Sequence, residues 1–313
     1  MRAGFLLSLS LLAGPALAEV PKVVTDTPVT ASLVQQVMGD LGQPVLLMDA
    51  GTDPHHVQLR PSQMRAMQDA DLLVWIGPEM SPWLAQAAAR KGKWQLPLIA
   101  TGREQRRYDD HPEEEGHHHD HTHLADPKAE PAATANPYLD PHGWLNPKNG
   151  ADWLASIASR LGEKDPEHAA IYVANAARAQ QDLAARDAAL RDLLAPAKGK
   201  HFVTFHDAYG YFTDYYGLEP AIAISLGDGS APSAARLREI QSRITDSGAV
   251  CAFPEVNQPA GLIEELTEGG TLRIGKALSP EGQDLEPGPA LYGQILDRLG
   301  QRIAACLEGT DNN

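Results

Sequence analysis

Only two of the 313 residues are cysteine, Cys251 and Cys306. So low a count excludes a disulfide-dense scaffold, and the wide gap between them is unlike a zinc knuckle, so a cysteine-based metal site is not expected. Basic residues are also scarce. Twenty-six Lys and Arg face forty-one Asp and Glu, for a formal charge of -15. Nucleic acids and anionic membranes need a basic face, so neither is an expected partner. After the N-terminal segment no apolar run is long enough to span a bilayer. The chain has no "HExxH" helix pair, no "GxSxG" elbow and no "HxE…PCxxC" deaminase pattern, and no acid placed by motif as a general base. No enzyme is expected.

What is present begins with "MRAGFLLSLSLLAGPALAEV": an early Arg2, a leucine-rich run, then Ala16-Leu17-Ala18. This is the layout of a signal peptide, residues 1–18, removed on export. The mature protein is expected outside the cytoplasm. In an oxidising compartment two cysteines in one domain are more readily a disulfide than two free thiols. Such a bridge would close a loop of about 55 residues and contribute about 4 kcal/mol in the chain-entropy picture.

A mature chain of this length divides naturally into two domains. "KVVTD", "PVLLMDAG" and "DLLVWIG" read as short buried strands, alternating with the helical stretches "VTASLVQQVMGDLG", "PSQMRAMQDA" and "SPWLAQAAARKG". Strand and helix in alternation argue for α/β lobes, each with a mostly parallel sheet flanked by helices. Residues 103–136, rich in His, Asp, Glu, Pro and Ala, have little to bury and are expected to form a mobile loop. The helix "ADWLASIASRLG" follows. A helical stretch over 166–194 then lacks internal Gly and Pro, and its place between two α/β halves suits a connecting spine. The alternation restarts with "HFVTF", "PAIAISLG", "AVCAFPE" and "LRIGKAL" and ends in a C-terminal helix. The expected division is an N-terminal lobe (19–165), the linking helix (166–194) and a C-terminal lobe (195–313).

The loudest metal signal is "HPEEEGHHHDHTH", with six histidines (His111, His117, His118, His119, His121 and His123) and four carboxylates in thirteen residues. It lacks a rigid frame to fix coordination geometry, which suits weak accessory binding better than a tight site. Quieter histidines lie in better-framed settings. His55 and His56 follow "GTDP" in a loop after a strand, His142 sits in "DPHGWLNP", and His206 follows the strand "HFVTF". Ligands of open α/β sheets bind beyond the carboxyl ends of the strands. Three imidazoles converging there would suit a borderline divalent ion such as zinc. A lone loop histidine is commonly just a surface or capping residue, and His56, His168 and His201 are read that way.

The runs "DPHHVQLRPSQMRAMQDADLLVWIGPEM", "HGWLNP" and "FVTFHDAYGYF", with "VCAFPE" paired to "AACLEG", resemble the zinc-binding periplasmic receptors of bacterial ATP-driven zinc importers. These belong to the metal-specific branch of solute-binding proteins with a rigid interdomain helix. The resemblance covers essentially the whole mature chain. It implies two lobes joined by one long helix, a metal site in the cleft, and His55, His142 and His206 as ligands. It also implies a Cys251–Cys306 disulfide, an accessory His-rich loop, and delivery of zinc to an ABC permease and its ATPase by a periplasmic monomer. Manganese-type relatives place carboxylates in the site, whereas here His206 stands at the third position and "KALSPEG" offers Ser279 where a late-loop acid would fall. Three nitrogens without an obvious acid point to Zn2+ over manganese. Water is the expected fourth ligand, with Glu255 the alternative. A periplasmic zinc buffer or chaperone that docks no permease, or a receptor for another divalent metal such as Mn, remains open at this point.

Overall fold

The computed structural model describes residues 19–49, 51–108, 135–225, 232–267 and 272–310. The expected signal peptide and the six loop histidines from His111 to His123 lie outside the described residues. The first half contains strands β1 (Val23–Thr25), β2 (Val45–Leu46), β3 (Leu72–Trp75) and β4 (Gln95–Pro97). They interleave with helices α1 (Pro28–Met38), α2 (Pro61–Asp69) and α3 (Ala85–Ala89). Two long helices follow, α4 (Pro147–Lys164) and α5 (Ala169–Leu194). The second half carries β5 (Phe202–His206), α6 (Gly210–Tyr216), β6 (Ile222–Ser225), α7 (Ala234–Ser247), β7 (Cys251–Phe253), α8 (Gly261–Thr267), β8 (Arg273–Ile274) and α9 (Leu291–Glu308).

Each half forms one four-stranded parallel sheet, in the orders β2-β1-β3-β4 and β6-β5-β7-β8. The two orders are the same topology used twice. In both, the strand order reverses at the first strand of the half, which opens a crevice at its carboxyl end. The central strands β1, β3, β5 and β7 are buried along their length and mostly apolar, because both their faces are covered. Side chains alternate between faces, so Leu72, Val74 and Ile76 enter one apolar cluster while Leu73 and Trp75 enter another. In the second sheet Phe202, Cys251 and Phe253 join that first cluster, and Val203 and Ala252 face an outer one with Ile240 and Ile263.

The inner cluster is shared by both halves. Helix α5 buries Tyr172, Ala176, Ala179, Leu183, Leu190 and Leu194, a stripe at steps of three, four and seven, against α4, α1 and α9. Its 26 residues span about 39 Å. The spine expected from the sequence is thus the middle of a helical layer joining the two sheets. Cys251 and Cys306 are bridged, tying β7 to α9.

Of the segment expected as a mobile loop, 103–136, the described residues are 103–108 and 135–136. Residues 103–108 and 135–136 are packed: Arg103 pairs with Asp152, Glu104 N–H donates to Asn149, Arg107 and Leu139 form an antiparallel bridge, and Asn136 N–H donates to Glu79. Among the described residues no helix is long and apolar enough to cross a membrane.

Candidate metal centre

His206 is the last residue of β5, at the crevice where the second sheet reverses its order, and is buried. His142 begins a 3-10 turn (Gly143–Leu145) that leads into α4, whose first turn is capped by Asn146 accepting from Lys148 N–H and primed by Pro147. That cap and the burial of Trp144 fix where the chain stands one turn before the helix. His55 comes from the loop between β2 and α2. Its backbone N–H donates to Asp53 Oδ1 (2.9 Å), and Trp83 Nε1 donates to the Pro54 carbonyl (2.9 Å) beside it.

These three histidines meet. Ring centroids are 5.3 Å apart for His142 and His206, 5.7 Å for His55 and His142, and 6.4 Å for His55 and His206. One nitrogen from each can be chosen so that all lie within 4.8 Å of one another. Zinc–imidazole bonds of about 2.05 Å in a tetrahedron put nitrogens about 3.3 Å apart. The His142 and His206 Nε2 atoms stand at 3.4 Å. His55 Nε2 is buried and has no hydrogen-bond partner among the described residues.

The other ring nitrogens are committed. His142 Nδ1–H donates to Asp140 Oδ1 (2.8 Å) and His206 Nδ1–H to Glu255 Oε2 (2.7 Å), so both rings turn Nε2 inward. Tyr209 OH also donates to Glu255 (3.1 Å). Glu255, the sequence alternative for a fourth ligand, therefore lies behind the His206 ring, on the side away from the three nitrogens. A second acid, Glu281, stands beside His142: its Oε1 is 3.9 Å from His142 Nε2, and its buried Oε2 has no hydrogen-bond partner among the described residues. Trp144 Nε1 donates to the Pro280 carbonyl (2.8 Å), so the turn that carries His142 in the first half holds the loop that carries Glu281 in the second.

The sequence reading, three nitrogens with water or Glu255 as the fourth donor, did not single out Glu281. Ser279, at the position read as the missing carboxylate, spends its hydroxyl on Gln283, and the acid arrives two residues later. Sequence reasoning also missed Asp140, although an acid two residues before a loop histidine is the spacing of a local side-chain turn. Glu281 has no such local sign. His56 is exposed and pairs with Asp53, and His168 pairs with Asp165, both away from the cluster.

Charge at the centre is unevenly distributed. Burial, with repulsion from His142 and His206, drives His55 down to about 3. Burial also holds His142 well below the usual imidazole range. Burial alone would lower His206, but the Glu255 carboxylate outweighs it by charge and hydrogen bond, aided by Glu281 and Asp207, and lifts it to about 9. Burial and the neighbouring charge of Glu255 lift Glu281 to about 8. A cavity of about 80 Å³ opens beside His55, His206 and Glu281, walled by Gly51, Asp53, Asn257 and Gln283. Two nitrogens that stay neutral, one nitrogen and one oxygen that exchange protons, and a small opening beside them fit a small divalent cation that prefers nitrogen donors.

Comparison with known proteins agrees with that chemistry. The family described as zinc-uptake complex component A, periplasmic, matches residues 23–306. The chain belongs to this family. It is 51% identical over 96% of both chains to the high-affinity zinc uptake system protein ZnuA of Paracoccus denitrificans (strain Pd 1222). It is 33% identical over 88% of both chains to the protein of the same name from Brucella abortus (strain 2308). The fold is similar to a crystal structure of ZnuA (TM-score 0.73, 23% identity, 92% of this chain and 99% of that one). It is also similar to the periplasmic zinc-binding protein TroA from Treponema pallidum (TM-score 0.74, 22% identity, 92% and 99%).

Proposed function

We propose that this protein captures zinc in the periplasm at His55, His142 and His206, with Glu281 as the fourth donor, and delivers it to an ABC-type permease and its ATPase. Zinc is the cargo, and no chemical step is performed on it. The observation that carries the reading is the convergence of three imidazoles, beside two buried atoms, His55 Nε2 and Glu281 Oε2, that have no hydrogen-bond partner among the described residues. Buried polar atoms are costly without a partner, and a cation would supply one to both. Membership of the periplasmic zinc-uptake family supports zinc as the ion and the periplasm as the compartment. In this reading His55 and His142 come from a first lobe (19–165) and His206 and Glu281 from a second (195–313), with 166–194 as the link. Asp140 and Glu255 hold the rings and raise their basicity as donors.

The His- and acid-rich segment would then add weaker, exchangeable zinc near the cleft. Its deletion is best confined to 109–134, because Arg106 and Tyr108 make contacts to residues near the centre. The test is zinc titration of that deleted protein by chelator competition. One tight site per chain is expected, weakened at least about 100-fold in each of His55→Ala, His142→Ala and His206→Ala. Wild-type affinity in all three would end the assignment. Growth of a deletion strain under zinc starvation separates delivery to a permease, which predicts a defect, from a periplasmic buffer, which predicts none.

A further inference from the structure

Asp140 is fully buried and uses its two oxygens differently. Oδ1 accepts from the His142 backbone N–H (3.0 Å) and from its ring Nδ1 (2.8 Å). Oδ2 accepts from Arg106 NH1 (3.3 Å). Arg106 is itself fastened from several directions. Its backbone N–H donates to Tyr211 OH (2.8 Å), its carbonyl accepts from Asp140 N–H (3.0 Å), and its Nε donates to Asp214 Oδ2 (3.2 Å). Tyr211 and Asp214 belong to α6, the helix that follows His206. The guanidinium also lies directly across Gly210, the first residue of α6, where a Cβ would overlap its Cζ and Nε atoms. Position 210 thus has to be glycine for the arginine to sit as it does.

We propose that Arg106 is a positioning residue for zinc, acting through Asp140 on His142. A carboxylate can rotate about its own axis. With Oδ2 pinned by a planar guanidinium, Oδ1 has to face the imidazole, and the Nδ1–H bond keeps His142 Nε2 aimed into the site. Asp214 of α6 accepts from its Nε, and Gly210 leaves the space that the guanidinium occupies. Loss of the pin leaves the carboxylate held through Oδ1 alone, so the direction of the ring is less firmly set. This inference rests on the reading of His142 as a zinc ligand.

Zinc affinity and release rate are to be measured on the full chain, by chelator competition and stopped-flow transfer to a fluorescent chelator. Arg106→Gln is expected to keep one tight site per chain but to raise its Kd about 10-fold or more and to speed release similarly, as outer-shell losses at metal sites do. Gly210→Ala, which keeps the arginine but displaces it, is expected to do the same and serves if Arg106→Gln fails to fold. In an Asp140→Asn background, Arg106→Gln should add less than about twofold, because its route to the metal is already cut. Wild-type Kd and release in Arg106→Gln and Gly210→Ala would overturn the proposal, as would losses that multiply in the double variant. His142→Ala separates this from the site assignment. If it keeps wild-type binding, the ligand reading fails; if it loses the site while Arg106→Gln binds normally, only the role of Arg106 fails.

Discussion

Acidification should weaken zinc binding through protons held at two identified atoms. In the metal-free protein His206 is lifted to about 9, so at pH 7 its ring carries both protons. One goes to Glu255, and the other occupies Nε2, 3.4 Å from the neutral Nε2 of His142. Zinc needs that lone pair. His55 and His142 present neutral nitrogens across the whole neutral range, because burial holds them far below it. Glu281, lifted to about 8, also keeps a proton at pH 7 and gives it up if the carboxylate joins the metal. Apparent affinity should therefore fall about tenfold per pH unit from 9 to 8, for one proton, and about 100-fold per unit below 8, for two. The His206 proton alone is about 100-fold between pH 9 and 7, about 2.7 kcal/mol.

Calorimetric titration in buffers of different ionisation enthalpy reads the proton count directly. At pH 7 two protons per zinc are expected for the wild type and one for Glu281→Gln. In Glu255→Gln the charge that sustains the His206 proton is gone and burial takes over, so the pH slope should flatten while affinity at pH 9 falls. Affinity that is constant from pH 6.5 to 9, with no proton released, would refute this account of His206. A count of one in both wild type and Glu281→Gln would leave water as the fourth ligand.

Metal-free stability should move with the same groups. A histidine lifted from 6.5 to about 9 contributes stability that is fully present below pH 6.5 and lost by pH 9, and Glu281, lifted from 4.5 to about 8, is lost in the same direction. Thermal scans in chelator should show Tm falling from pH 6.5 to 9, and a flat or rising Tm would contradict this. Replacing both Cys251 and Cys306 with Ser opens a loop of sequence separation 55 and should cost about 4 kcal/mol in denaturant unfolding, with zinc stoichiometry unchanged. Gly150→Ala places a methyl group against the Tyr292 hydroxyl, which donates to the Trp144 carbonyl, and should cost about 1–3 kcal/mol of unfolding free energy.

The fold was readable because its strands are buried on both faces, so "LLVW" and "FVTFH" stand out as apolar runs between polar or glycine punctuation. Strand β4 was not, being three residues at a sheet edge and ending in Pro97. The long helix was visible from its composition, but not its role at the middle of a shared core. Its buried stripe mixes one tyrosine, two alanines and three leucines, and what covers it comes from α1, α4 and α9. His142 and His206 were visible because each follows a local rule, a histidine between prolines and a histidine ending a strand.

Glu281 follows no local rule, and the reason is physical. What makes it part of the centre is the bond from Trp144 Nε1 to the Pro280 carbonyl, a contact across 136 residues of sequence. No periodicity or motif in "KALSPEG" encodes that meeting; it exists only because one apolar core holds the two sheets at a fixed offset. The same core bears on how metal can leave. With α1, α4, α5 and α9 packed as one layer through both halves, a wide hinge opening would have to break apolar burial worth about 25 cal/mol per Å². Smaller moves are cheaper. The loops that carry His55 and Glu281 sit at the cavity mouth, outside that layer, and each is tied down by a tryptophan N–H bond, from Trp83 and from Trp144. A release that moved only these two loops would leave His142 and His206 where the core fixes them, and would return to His206 Nε2 the proton that a bound zinc had displaced.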